Sequence, residues 1–232
     1  MVGQSVLSTF FVLFLVSNVS ASPFLWRGPK GGCKPPTLTL PASALPAPDD
    51  SVLKYIALGV GHQNYTCANA TAQAVPASAG AVAKLYDADP LLQNDQSRVA
   101  TLPGNALKIY RTLANPPAAL SLIPGGYKVL GDHYFSPPLI PTFDLWNGCS
   151  GTPKLYAKKA NGTRAPDTSV KGTRSEGAVD WLLLVDAGNS VGGINRVYRV
   201  ETAGGMAPTT CEGVTGPITV PYAAEYWFYV PK

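Results

Sequence analysis

Between Leu53 and Val230 the chain is cut by Gly, Pro and Asp into short apolar runs, and no stretch holds a helical apolar period for long. The runs LKYIALGV (Leu53 to Val60), HQNYTC (His62 to Cys67), AVAKLYDA (Ala81 to Ala88), KVLGDHYF (Lys128 to Phe135) and PTFDLW (Pro141 to Trp146) read as strands. So do KLYAKKA (Lys154 to Ala160), AVDWLLLVDA (Ala178 to Ala187), INRVYRVETA (Ile194 to Ala203) and AEYWFYV (Ala224 to Val230). Helical spacing is confined to about Gly104 to Asn115, where Leu107, Tyr110, Arg111 and Ala114 recur before Pro116-Pro117, within an irregular insertion from Pro90 to Gly126. Strands in series without alternating helices exclude a parallel α/β sheet. They predict a mostly β chain: a single antiparallel β-sandwich or barrel-like domain with one short helical insertion. Trp181 to Val185 and Glu225 to Val230 are apolar on both faces, the pattern of central strands. Trp227 and Tyr229 share one face of the last strand, so they either pack in the core or form an exposed platform for sugar rings.

The ends of this folded region point to export. The run VLSTFFVLFLV (Val6 to Val16), followed by Val19-Ser20-Ala21, has the layout of a signal peptide over residues 1–21, cleaved after Ala21. It is about half the ~20 residues that span a bilayer, and no second apolar span follows to act as an anchor. Residues 22–50 contain seven prolines between Pro23 and Pro48 and read as an extended Pro/Gly-rich arm leading into one β-rich domain over 51–232. Asn64, Asn69 and Asn161 begin N-x-Thr glycosylation acceptors, whereas Asn115 precedes Pro116 and does not. The four cysteines are widely spaced with no C-x-x-C pair, as expected of two disulfides rather than a zinc site. Of three connectivities, Cys67 with Cys211 and Cys33 with Cys149 is the expected one, because the first pair staples the two halves of the domain.

Only 14% of residues are charged, against roughly 25% in an average domain. The net charge is +4, and Lys154 to Arg174 hold six cations against Asp167, a local +5 that leaves −1 on the remainder. That patch surrounds the Asn161 acceptor. It reads as a solvated loop or, through residues such as Lys158 and Lys159, a contact for an anionic glycan; it lacks the dense stripe of a nucleic-acid binder.

Three catalytic motifs are matched only in part. Gly59 and Gly61 follow a strand as in G-x-G-x-x-G, but Asn64 stands at the third glycine and no helix follows to hold a pyrophosphate. Gly188-Asn189-Ser190-Val191-Gly192 matches G-x-S-x-G, yet it runs into a strand, and no histidine lies beyond His133. With only His62 and His133 available, a three-His zinc site is impossible, and the pair is at most a weak metal candidate with a nearby carboxylate; no metal and no cofactor are expected. Asp132, His133 and Asp144 are the candidate catalytic residues, since two carboxylates beside an imidazole are the groups that acid–base chemistry uses.

GVGHQNYTC, AVAKLYDAD, GDHYFSPPLIPTFDL, VDWLLL, VYRVETAGGMAPTTC and VPYAAEYWFY together resemble the DUF3455 family, secreted proteins common in fungi and also found in bacteria. The resemblance implies export and covers most of Leu53 to Tyr229, but it supplies no catalytic residues. Members are often labelled malate dehydrogenase; the failed nucleotide fingerprint argues against an NAD-dependent activity here. The sequence therefore points to a secreted, glycosylated, non-catalytic protein that binds a wall or surface glycan, or another extracellular protein, with Trp227, Tyr229, Lys158 and Lys159 as candidate contacts. The alternative is an extracellular glycan-active hydrolase or lyase using carboxylates near His133 and Asp144. Mass spectrometry of the exported protein is expected to find Ser22 as the first residue; a mature chain retaining Val6 to Val16 would contradict the signal peptide.

Overall fold

The computed structural model describes residues 34–112, 127–172 and 176–232. The expected signal peptide, the first part of the arm with Cys33, the end of the insertion and Arg174 lie outside the described residues. The elements run β1 (Ser51–Cys67), β2 (Ala77–Asp87), α1 (Asp89–Asn94), a 3-10 turn (Gln96–Arg98), α2 (Leu102–Thr112), β3 (Val129–Ser136), β4 (Ile140–Asp144), β5 (Lys154–Thr163), β6 (Trp181–Asp186), β7 (Arg196–Gly204) and β8 (Gly216–Pro231). Each strand pairs antiparallel with its successor, and β8 returns to β1, so the sheet is a closed up-and-down barrel of eight strands.

The expected strands are all present, with three adjustments. LKYIALGV and HQNYTC are one continuous strand, β8 begins at Gly216 rather than Ala224, and α1 adds a second helix to the single one expected. Gly61 reads in the sequence as a break between two strands, but it and Gly59 both face the barrel interior. A Cβ on Gly59 would come within 2.5 Å of the Tyr226 ring, and one on Gly61 within 2.0 Å of the Val82 carbonyl oxygen. The glycines make room for neighbours rather than for a phosphate.

An eight-stranded barrel is just wide enough for its own side chains to fill. Small residues on β1, β2 and β5 (Ala57, Ala81, Ala83, Ala157) face Tyr222, Tyr226 and Phe228 of β8 and Phe143 of β4. His133 is enclosed with them, its ring stacked on Phe143 at 4.2 Å and its Nδ1–H donating to the Thr142 carbonyl oxygen at 2.9 Å.

A second core lies outside the wall. Ile56, Leu58 and Val60 of β1, Trp181 and Leu183 of β6, Tyr198 and Val200 of β7, and Trp227 and Tyr229 of β8 pack under α1, α2 and the arm residues Leu38 and Leu45. This explains why β6 and β8 are apolar on both faces. The arm is fixed by the Tyr198 hydroxyl, which donates to the Pro46 carbonyl at 2.8 Å, and by an Arg196–Asp50 ion pair at 2.9 Å.

One disulfide is described, Cys67–Cys211, with the expected pairing; it ties the end of β1 to the segment before β8 across 144 residues of sequence. The expected Cys33–Cys149 bond involves Cys33, which lies outside the described residues.

The outer core also encloses an acid. Glu225 is fully buried, its Oε2 accepts the Trp227 indole N–H at 2.8 Å, and its Oε1 has no hydrogen-bond partner among the described residues. Burial pushes its pKa up to about 8, with the Glu201 carboxylate adding to the rise and Trp227 opposing it. Burial pushes His133 the other way, to about 4.

These shifts set opposite limbs of a stability curve. A carboxyl whose pKa is raised on folding holds its proton longer in the native state, so stability falls as pH climbs from about 4.5 to 8. Glu225→Gln is expected to remove that fall, raising stability at pH 8.5 by about 3 to 5 kcal/mol; denaturation curves that stay parallel across pH would contradict it. A base whose pKa is lowered stays neutral when folded, so stability is lost as pH falls from about 6.5 to 4. His133→Phe is expected to flatten that acid limb in the same titration, and an unchanged acid limb would show that other groups cause it.

Candidate functional site

Strand alternation separates the three expected catalytic residues. In the β3–β4 register Asp132 lies opposite Asp144 and His133 opposite Phe143, so the imidazole points into the barrel and both carboxylates point out. Lys84 of β2 is paired with Asp132, and Lys154 of β5 with Asp144 at 2.7 Å. Lys84, Asp132, Asp144 and Lys154 thus form one row across four strands, with the two acids in the middle and a lysine at each end. Both acids are bound to lysine on the outside of a barrel wall, and the imidazole is sealed behind it; this is not the cleft that a carboxylate pair needs for glycoside cleavage.

The remaining sequence candidates occupy separate places. Trp227 is buried and Tyr229 nearly so, both beneath the outer core, and neither forms an exposed platform. His62 is half-buried on the outer face and meets the Tyr110 hydroxyl of α2 at 3.1 Å, so the two histidines stand on opposite sides of the wall and share no ligand. The Ser190 hydroxyl donates to Asp186 at 2.5 Å and accepts the Tyr156 N–H at 2.9 Å, a turn-forming role that fits a hairpin rather than a nucleophile. Lys158 and Lys159 are exposed on β5, on opposite faces of the strand, and the acceptor asparagines Asn161 on β5 and Asn69 just after β1 are exposed too, while Asn64 is half-buried.

Among the described residues, the arm and helices cover the outer faces of β1, β6, β7 and β8 and the end of β2 and start of β3 at Tyr86 and Val129, and leave the outer face from Lys84 of β2 across β3 and β4 to Lys154 and Tyr156 of β5 uncovered. There Trp146, just past β4, is 46% exposed. Its indole N–H donates to Asp132 Oδ2 at 2.7 Å, and the Lys84 ammonium lies 5.9 Å from the ring centre. The ring is therefore held in place by the same carboxylate that binds Lys84. Two residues along the strands, a second row carries Tyr134, Thr142 and Tyr156. Thr142 is fully buried and both tyrosines are half-buried, as a threonine flanked by two rings would be. The proximity of Asp144 and of both tyrosines raises the pKa of Lys154, with the Asp144 hydrogen bond the largest cause.

This face combines an exposed indole, two tyrosines, two carboxylates and two ammonium groups, which suits it to stack a ring and hydrogen-bond its substituents. Period-2 reading of β3 to β5 outward from Asp132 would have found Tyr134 and Tyr156, and Trp146 lies two residues beyond Asp144. Among the cavities, the arm forms an open apolar groove of about 600 Å³ with Leu38, Leu40, Leu45, Leu53 and Tyr229, without converging charged groups of the kind the outer face carries.

No curated protein and no solved structure matches the chain. A family model described as "Protein of unknown function (DUF3455)" matches residues 47–230, which is most of the chain and includes every strand of the barrel except the last residue of β8. The chain, with its closed barrel and its Cys67–Cys211 disulfide, therefore belongs to the DUF3455 family.

Proposed function

We propose that this chain is a secreted, glycosylated binding protein without catalytic activity, and that it takes a wall or cell-surface glycan on the outer face of β2 to β5. Trp146 carries this reading. A large aromatic ring left exposed while Trp181 and Trp227 are buried, and oriented by a hydrogen bond, loses little freedom when a sugar ring stacks on it. Around it, Asp132, Asp144, Lys84 and Lys154 offer acceptors and donors to hydroxyl groups. Export is supported by the Cys67–Cys211 bond and by exposure of the Asn69 and Asn161 acceptors. No helix among the described residues is long and apolar enough to cross a membrane.

A glycan array followed by calorimetry tests the reading. Wild-type protein is expected to bind saturably without releasing product, and Trp146→Ala to weaken binding by about tenfold or more, with an unchanged far-UV spectrum. Equal binding by Trp146→Ala would remove the site. Release of product that is lost in Asp144→Asn would establish the hydrolase instead.

A further inference from the structure

Resting on that reading, we propose that the glycan is an uncharged, extended polysaccharide with β-1,4 linkages, lying across the strands on Tyr134 and Tyr156 beside Trp146.

The charges of this wall are already paired. Lys84 is bound to Asp132, and Lys154 to Asp144 at 2.7 Å, so the row carries no net charge. Further along β5 the outward Lys158 has the Asp186 carboxylate near it, whose pKa is lowered by the Ser190 hydroxyl, the Gly188 N–H and Lys158 itself. A charged sugar finds no unbalanced partner here and would have to break a pair to gain one. Hydroxyl groups, in contrast, can donate to the carboxylates and accept from the ammonium groups while the pairs stay together.

The linkage follows from the neighbouring row. Tyr134 pairs with Thr142, and Thr142 with Tyr156, so the two tyrosines lie on β3 and β5 with one strand between them, about 10 Å apart at the backbone. That is the advance of two rings in an extended β-1,4-linked chain, where successive rings are turned over and every second one presents the same face. A chain laid across the strands therefore brings one like-facing ring to each tyrosine. Thr142 does not interrupt the track, because it is fully buried and its hydroxyl donates to the Ile140 carbonyl oxygen at 3.1 Å. On β2 the track continues at Val82, which points outward between the inward Ala81 and Ala83 and is exposed. The row from Lys84 to Lys154 runs parallel to it, two residues along each strand and about 7 Å away, within reach of the hydroxyl groups on one edge of the chain. Trp146, held by Asp132 of that row, borders the same edge.

Dependence on chain length tests this. In calorimetry, cellohexaose or chitohexaose, the two neutral β-1,4 probes, is expected to bind about tenfold or more tighter than its own dimer, with little change as salt rises. Tyr134→Ala/Tyr156→Ala should bring the hexamer down to the affinity of the dimer, whereas Tyr134→Phe/Tyr156→Phe should keep the advantage, since stacking does not need the hydroxyl. Tyr156→Ala alone should act like the double alanine variant, because the advantage needs both rings, and it serves if the double variant does not fold. A hexamer advantage that survives loss of the tyrosine rings would overturn the proposal. So would laminarihexaose, which is β-1,3-linked, or oligogalacturonate binding as tightly as the neutral β-1,4 hexamers; if that binding is lost in Trp146→Ala, the proposed site still stands. Failure of every glycan to bind would overturn both readings.

Discussion

β1 and β8 pair from Ser51 opposite Pro231 to Cys67 opposite Gly216, and the rest of the molecule depends on that long closing ladder. Without it the chain would be an open meander with two exposed edges, a form that invites pairing with other chains. The ladder forms because the two strands are complementary in size on the inner side. Gly59 leaves room for the Tyr226 ring, and Gly61 lets the β2 backbone come close. The Tyr222 and Tyr226 hydroxyls then satisfy each other at 3.0 Å within the interior. The lumen is filled in this way by the barrel's own side chains.

The outside is divided by what covers it. The arm, α1 and α2 cover one half and build a second core there, burying Trp227, Tyr229 and the carboxyl of Glu225. A carboxyl held in such a place stays protonated well above its ordinary range, and it limits stability under alkaline conditions. Among the described residues the other half carries no such cover, and there polar groups satisfy one another in cross-strand pairs. Asp132 and Asp144 hold Lys84 and Lys154 there, and Asp132 also holds the ring of Trp146. The same covering helices thus decide which aromatic residues become core and which, like Trp146, remain exposed.

Much of the fold was legible in sequence because strand runs and turn residues are local signals. The Trp181 and Glu225 runs announced strands buried on both faces, and Cys67 found Cys211. The break expected at Gly61 was misplaced because its cause, a neighbouring backbone, is distant in sequence. The start of β8 was hidden by Pro217 and Pro221, which ordinarily argue against a strand, and α1 is too short to show a period. The site was less legible. Asp132 and His133 are adjacent in sequence and therefore on opposite faces of a strand, so grouping them for catalysis ignored alternation. Whether Trp146 or Trp227 would be exposed depended on where the helices pack, and nothing local to either residue records that.

In the proposed function the wall of β2 to β5, and not the lumen or the helix-covered side, is the contact surface. Proton–nitrogen NMR of the tryptophan indoles tests it most directly, because Trp146, Trp181 and Trp227 report respectively on the bare wall and on two buried positions under the cover. Adding a glycan that binds should move the Trp146 indole resonance and leave those of Trp181 and Trp227 in place. Movement of the Trp181 or Trp227 resonance with Trp146 unmoved would put the contact on the other side of the barrel.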